Sequence, residues 1–366
     1  MLGMKLVVQI KLLPDAEQAS ALLAYMAAFN AAATQAARVG FDEGVFSQPS
    51  IHRLCYRELR NTFGVSSQTA VRAIGKAVEC FARDKIKCPT FKSLGAVTYD
   101  QRTFSFKGID RVSLLTQGGR ILVPYVVGDY FSGRLHALKG QADLVYRDGK
   151  FFLLCIADVP ELPVTPVREF LGVDLGIVNI ATDSTGERHT GVEVEQHRKR
   201  HLRVRSSFQR KGTKSTKRRL KRLSGRQRRY QTWVNHGLSK HIVAKAKALG
   251  AGIAIEDLTG IRIRTKKTAR RKQRSQLSNW SFAQLRVFLT YKARMAGVSL
   301  VVVDPRNTSR TCFVCGYCNP ANRLSQNCFS CTSCGHTDHA DHNAARNISR
   351  LGQLVNLPQK SATVNS

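Results

Sequence analysis

The sequence predicts an α/β sheet domain that carries a zinc ribbon, preceded by an antiparallel β-barrel that a helical segment interrupts. Three observations predict it. Strand-like and helix-like segments alternate after residue 170. Short apolar runs separated by Gly-Gly, Asp-Gly and Ser-Gly turns fill 87–163. Six of the ten cysteines fall within residues 312–334.

Residues 4–12 alternate apolar and polar side chains as one strand. Asp15 opens a helical stretch, predicted over 16–39, 50–63 and 66–84, in which Leu22, Tyr25, Met26 and Phe29 recur at spacings of three and four. Gly40 and Gly64 punctuate it. The runs at 104–106, 112–114, 121–126, 142–146 and 151–156 read as strands of a small antiparallel sheet or barrel. A linker bearing Pro160, Pro163 and Pro166 follows. Next, 171–183 reads as one buried strand, Ser184-Thr-Gly186 as a turn, and the residues after it as a further strand. Helices over 236–249 and 282–295 feed strands at 252–255 and 299–303, and 344–351 reads as a short helix. The tail, 358–366, is polar and expected to be flexible.

The 366 residues carry 58 Lys plus Arg against 25 Asp plus Glu, a formal charge of +33. A chain that is 43% hydrophobic is too apolar for wholesale disorder. No run approaches the ~18 apolar residues of a membrane span, and the first residues lack a secretory signal pattern, so a soluble intracellular protein is expected. Residues 198–229 hold 16 Lys or Arg and 262–274 hold 8, with no acid in either run. One such run reads equally as a solvated arm. Two flanking one folded segment point to a nucleic-acid channel. A nuclear-import signal stays open as a third reading, and a membrane-surface helix is disfavoured because 198–229 lacks an aromatic apolar face.

Cys55, Cys80, Cys88 and Cys155 sit among apolar neighbours and read as small core residues. Cys312-Phe-Val-Cys315-Gly316 and Cys331-Thr-Ser-Cys334-Gly335 each place a glycine after the second thiol, where a metal knuckle must turn. The 15 residues between Cys315 and Cys331 match a four-cysteine zinc ribbon, structural and without an open position. Cys318 and Cys328 lack the following glycine and read as bystanders, while His336, His339 and His342 are possible substitutes.

Asp174 lies in an apolar strand, Glu256 ends another, and Asp341 opens a helix. A carboxylate at a buried strand end is costly unless paired or metal-bound. Asp341 read alone is equally an N-cap. Asp257 should point away from Glu256, and Asp304 is a reserve acid. Three converging carboxylates suit divalent-metal phosphodiester chemistry with two Mg²⁺, one activating water and one stabilising the leaving 3′ oxygen.

The segments Gly172-Val-Asp174-Leu-Gly176-Ile-Val-Asn179-Ile-Ala, Ile255-Glu256-Asp-Leu and His339-Ala-Asp341-His-Asn343-Ala-Ala345-Arg-Asn347-Ile resemble the three split motifs of a RuvC-type, RNase H-like nuclease. Thr308-Ser309-Arg-Thr-Cys312-Phe-Val-Cys315-Gly, with Cys331-Thr-Ser-Cys334-Gly, resembles the zinc finger before the last motif of transposon-encoded TnpB (OrfB-type) proteins. Asn235, Ser239-Lys240 and Tyr291-Lys292-Ala293 fit the same family, and Arg310 departs from its usual glutamine.

The resemblance implies an RNA-guided DNA endonuclease of a transposable element, related to the type V CRISPR effectors. The alternatives are an inactive RNA-guided DNA-binding regulator or a transposase accessory protein. It further implies a wedge-like β-barrel over 1–14 and 88–165 and a helical recognition domain over 15–87. A RuvC-like domain would span 166–305 and 339–357, with a zinc-ribbon module that binds target nucleic acid over 306–338. Asp174, Glu256 and Asp341 would be catalytic and hold Mg²⁺ (two ions, or Mn²⁺), with structural Zn²⁺ on Cys312, Cys315, Cys331 and Cys334. The implied partners are a guide RNA derived from the transposon end and double-stranded DNA beside a short motif, with no membrane. A monomer in the cytoplasm of a prokaryote, associated with the nucleoid, is expected.

Overall fold

Met4–Leu12 alternates as the sequence requires and forms strand β1, which buries Val8, Ile10 and Leu12 and exposes Val7. The structure is a computed structural model that describes residues 4–164, 166–259, 281–325 and 327–356. The chain divides into two compact units, Met1–Pro160 and Glu161–Ser366.

In the first unit β1 is followed by helices α1 (Ala16–Asp42), α2 (Gln48–Phe63) and α3 (Ser67–Phe81). Strands β2 (Val97–Asp100), β3 (Phe104–Lys107), β4 (Arg111–Thr116) and β5 (Gly119–Val127) come next. The short helix α4 (Asp129–Ser132) precedes β6 (Leu138–Arg147) and β7 (Lys150–Val159). The described strands pair antiparallel in the order β2-β6-β7-β1-β5-β4-β3. The two outer strands, β2 and β3, are joined by a tight turn in which Thr103 N donates to Asp100 O at 2.9 Å. Because that turn joins the first and last strands of the order, the sheet curls back on itself and is nearly closed. Asp15 starts α1 with a capping box, accepting from Gln18 N at 2.8 Å while Gln18 Oε1 accepts from Asp15 N at 3.3 Å. The three helices bury their apolar faces in one core with the strands, where Tyr25 packs 5.5 Å from Tyr99. Of the scattered cysteines, Cys55 and Cys155 are buried there, but Cys80 and Cys88 are only half-buried.

The second unit opens with β8 (Phe170–Asp174), β9 (Asn179–Asp183) and β10 (Arg188–Thr190). Helices α5 (Val192–Lys211), α6 (Lys214–Leu223) and α7 (Arg226–Ala248) lead to β11 (Gly252–Glu256). Helix α8 (Phe282–Ala296), β12 (Leu300–Val303), the hairpin β13 (Cys328–Ser330) and β14 (Thr337–His339), and α9 (Ala340–Val355) complete it. The mixed sheet runs β10-β9-β8-β11-β12, with β11 parallel to β8 and β12 and the other pairs antiparallel.

Two expectations change here, and the basic run takes a defined form. The single strand over 171–183 is two strands, with the chain reversing between Asp174 and Asn179. Leu175, in the turn, is itself buried, so no polar break marked the reversal. The basic run 198–229 is helical, spanning α5, α6 and the first turn of α7, because Arg and Lys are good helix formers and Thr213 caps α6 by accepting from Thr216 N at 3.2 Å. The helix expected over 344–351 starts at Ala340, capped by His339, so Asp341 lies inside the first turn and is not the cap. The basic run 262–274 and the tail lie outside the described residues.

The sheet's two faces separate by parity. Leu171 and Val173 of β8 and Ile253 and Ile255 of β11 pack with Leu238 and Ile242 of α7 and Leu285 and Leu289 of α8. Phe170, Ala254 and Val303 face the other way, against Ile348 of α9. Helix α9 lies on backbone there: a Cβ on Gly172 would stand 2.0 Å from Ala345 O, and one on Gly352 2.6 Å from Ala254 Cβ. Among the described residues no helix is long and apolar enough to cross a membrane.

Candidate active site

The same parity aims the acids. Asp174 follows Phe170 and Gly172 by even steps, and Glu256 follows Ala254, so both point to the α9 face of the sheet. The parallel register pairs Ile255 with Val173, and one further step sets Glu256 beside Asp174 at the carboxyl ends of neighbouring strands. Adjacent strands lie ~4.8 Å apart, close enough for two carboxylates to repel strongly.

Asp341 completes the group from the first turn of α9, 4% exposed. Burial, and then the charges of Glu256 and Asp341, push the Asp174 carboxyl well above the ordinary carboxylate range, while Arg323 opposes them. A half-buried acid held near two others favours a proton or a cation. Among the described residues, the groups whose ligand atoms all lie within 4.8 Å of one another are the four ribbon cysteines and Glu187, His189 and His241. The carboxylate trio is more open than these.

Neutral and cationic side chains fix two of the acids. Asn179 Nδ2 donates to Asp341 Oδ2 at 2.9 Å, and Arg323 Nη2 reaches Oδ1 at 3.5 Å. The Thr308 hydroxyl donates to Glu256 Oε1. Thr308 is held in turn by α9, where Asn347 Nδ2 donates to Thr308 O at 2.9 Å and to Thr311 O at 2.7 Å. Asn343, one turn earlier, donates to Thr311 O at 2.9 Å and accepts from Phe313 N at 3.0 Å. Glu256, Asp341, the cysteine module and α9 are therefore one hydrogen-bonded assembly.

Sequence reasoning singled out the three acids but gave no role to Asn179, Thr308 or Arg323. Asn179 and Thr308 stood inside the quoted motifs, whereas Arg323 carried no local signal. Asp257 is turned away to Arg286 Nη1 at 2.9 Å, and Asp304 pairs with its neighbour Arg306 at 3.7 Å.

Cys312, Cys315, Cys331 and Cys334 come together, with Sγ–Sγ distances of 3.7 Å for Cys312–Cys334 and 3.6 Å for Cys315–Cys331. Disulfide sulfurs lie ~2.05 Å apart, whereas four thiolates about one Zn²⁺ at ~2.3 Å stand ~3.8 Å apart. Each knuckle closes on a glycine with positive φ: Gly316 N (φ 76°) donates to Cys312 O at 2.9 Å and Gly335 N (φ 72°) to Cys331 O at 3.0 Å. Backbone amides of Cys334 and Ser333 help hold the Cys331 thiol down at about 6, the form a metal takes. Cys318 and Cys328 stay outside the cluster. His339 caps α9, and His342 Nδ1 stands 3.0 Å from Asp338.

Comparison with known proteins matches two segments of the chain. Residues 282–348 match the family described as "Cas12f1-like, TNB domain", and residues 154–262 match OrfB_IS605, described as "Probable transposase". The chain is 33% identical over 96 residues to a TnpB-like protein, MJ0751, of Methanocaldococcus jannaschii, covering 26% of this chain and 34% of that one. It is 32% identical over 221 residues to the CRISPR-associated endodeoxyribonuclease Cas12f1 of Sulfoacidibacillus thermotolerans, covering 56% of this chain and 50% of the relative. The chain thus spans half or less of the length of these relatives. In fold it is similar to Cas12f1 in a Cas12f1–sgRNA–target DNA complex, with TM-score 0.61 at 15% identity over 90% of this chain and 82% of that one. The mini-RNA-guided endonuclease Cas_phi3 gives TM-score 0.58 at 11% identity over 98% and 93%.

Proposed function

Because this chain is a TnpB-type relative of the type V effectors, we propose that it is an RNA-guided DNA endonuclease of a transposable element, with an RNase H-like (RuvC) catalytic domain. The observation that carries this reading is the half-buried Asp174, set beside Glu256 at the carboxyl ends of two parallel strands and near Asp341 of α9.

Asp174, Glu256 and Asp341 hold Mg²⁺ or Mn²⁺ in this reading, since carboxylate oxygens suit hard cations and their mutual repulsion calls for positive charge. When bound, the ions lower the pKa of the attacking water and stabilise the 3′ oxygen that leaves phosphorus. The protein's own part is positional. Asn179 and Thr308 fix the rotamers of Asp341 and Glu256, and Arg323 sets a guanidinium beside Asp341 where a phosphate can share it. Cys312, Cys315, Cys331 and Cys334 hold structural Zn²⁺, and Asn343 and Asn347 tie that module to the helix bearing Asp341.

Helices α5 and α6 present a basic surface with almost no buried side chain, suited to guide RNA and target DNA phosphates. The barrel over 1–14 and 88–165 and the helices over 15–87 would grip RNA and read the target-adjacent motif, and the module over 306–338 would contact target strand. Sequence choice falls to guide pairing. Purifying the protein from cells that carry its flanking element and sequencing the bound nucleic acid tests the partner assignment. One enriched RNA species is expected, and RNA matching total cellular RNA would overturn it.

A further inference from the structure

Glu187, His189 and His241 bring a carboxylate oxygen and two imidazole nitrogens within 4.8 Å of one another. Glu187 and His189 lie two positions apart at β10, so both leave the same face of that hairpin, and His241 comes from α7. His241 Nε2 stands 2.9 Å and His189 Nε2 3.6 Å from the same oxygen, Glu187 Oε1. The two rings meet edge-on with centroids 5.1 Å apart.

The carboxylate is held for this arrangement. Glu187 Oε2 accepts from Lys245 Nζ at 2.6 Å, and the same ammonium reaches Asp183 and, at 2.8 Å, Thr185 Oγ1. Lys245 thereby fixes the Glu187 rotamer and leaves Oε1 to the imidazoles. Asp183, Glu187 and Lys245 together carry one net negative charge, which attracts a cation.

We propose that Glu187, His189 and His241 form a transition-metal site that clips the β9–β10 hairpin to α7. Two imidazoles and one carboxylate suit a borderline ion such as Zn²⁺, whereas Mg²⁺ and Ca²⁺ favour all-oxygen shells. The His241 side chain is 50% exposed, so an ion can enter and water can complete a four-coordinate shell. The site is independent of the carboxylate trio and of the cysteine cluster, sharing no residue with either.

The test is zinc uptake by the full-length protein, dialysed against buffered Zn²⁺ and quantified as metal per chain by mass spectrometry. His241→Ala is the main variant because that side chain is exposed, and His189→Ala is the second. Wild type is expected to hold one more equivalent than either variant, and added Zn²⁺ is expected to raise the melting temperature of wild type more than theirs. Equal equivalents in all three proteins overturn the proposal and leave an ion-pair network around Glu187.

Discussion

Asn179 Nδ2 donates to Asp341 Oδ2 at 2.9 Å across 162 positions of sequence, joining the start of β9 to the first turn of α9. The bond exists because β8 and β9 reverse direction just past Asp174 and α9 rests on Gly172. It holds one acid of the trio in a single rotamer.

Asn179→Ala is therefore expected to slow guided DNA cleavage by roughly 10–100-fold, the usual cost of losing a residue that orients a metal ligand. The Mg²⁺ concentration giving half-maximal rate should rise while DNA binding stays unchanged. A cleavage titration with Mg²⁺ reads both. An unchanged Mg²⁺ dependence would deny Asn179 a positioning role.

Thr308 makes a sharper comparison, because only its hydroxyl meets Glu256. Thr308→Val keeps the shape and removes the donor, at a cost of about 1.5–3 kcal/mol, typical of a hydrogen bond to a charged group. Thr308→Ser keeps the donor. Cleavage should fall at least tenfold in the valine variant and stay within a fewfold of wild type in the serine variant. Equal loss in both would assign the effect to packing.

Much of this arrangement was legible in the sequence, and what was not has identifiable causes. The apolar runs around Asp174 and up to Glu256 announced strands there, and the spacing of Cys312, Cys315, Cys331 and Cys334 announced their meeting. The reversal at 175–178 was hidden because Leu175 is buried like the strand residues around it. Over 198–229 only Leu220 and Leu223 stand at helical spacing, because α5 buries no side chain and offers no apolar period. Arg323 was invisible because its partner, Asp341, is reached only through tertiary packing.

Asp174 also predicts a pH dependence. Its pKa is raised in the folded protein, so the folded state favours the protonated acid. The associated stability is complete below the unfolded pKa, near ~4, and is lost as pH rises through the folded value. In Mg²⁺-free buffer the melting temperature should fall as pH climbs from acid through that range. Asp174→Asn should flatten the fall and melt higher than wild type at neutral pH. A wild-type profile parallel to that of the variant would contradict the raised pKa.

Removing the cysteine metal should act through α9. Cys331→Ser is expected to lower zinc by one equivalent per chain relative to wild type and to release the Asn343 and Asn347 contacts that hold Thr308 and Thr311. Hydrogen exchange should quicken over 308–345 and remain unchanged in β1 and β7. Protection unchanged near Thr308 would separate the cysteine cluster from the carboxylates.

The central claim is that Asp174, Glu256 and Asp341 share one metal-dependent task. The direct measurement is cleavage and binding by the RNA-loaded protein and its Asp174→Ala variant, on DNA matching the bound RNA, with Mg²⁺ present. Wild type is expected to cut, and the variant to bind the same DNA with similar affinity but show no cutting above background. Mg²⁺-dependent cutting retained by the variant would contradict it.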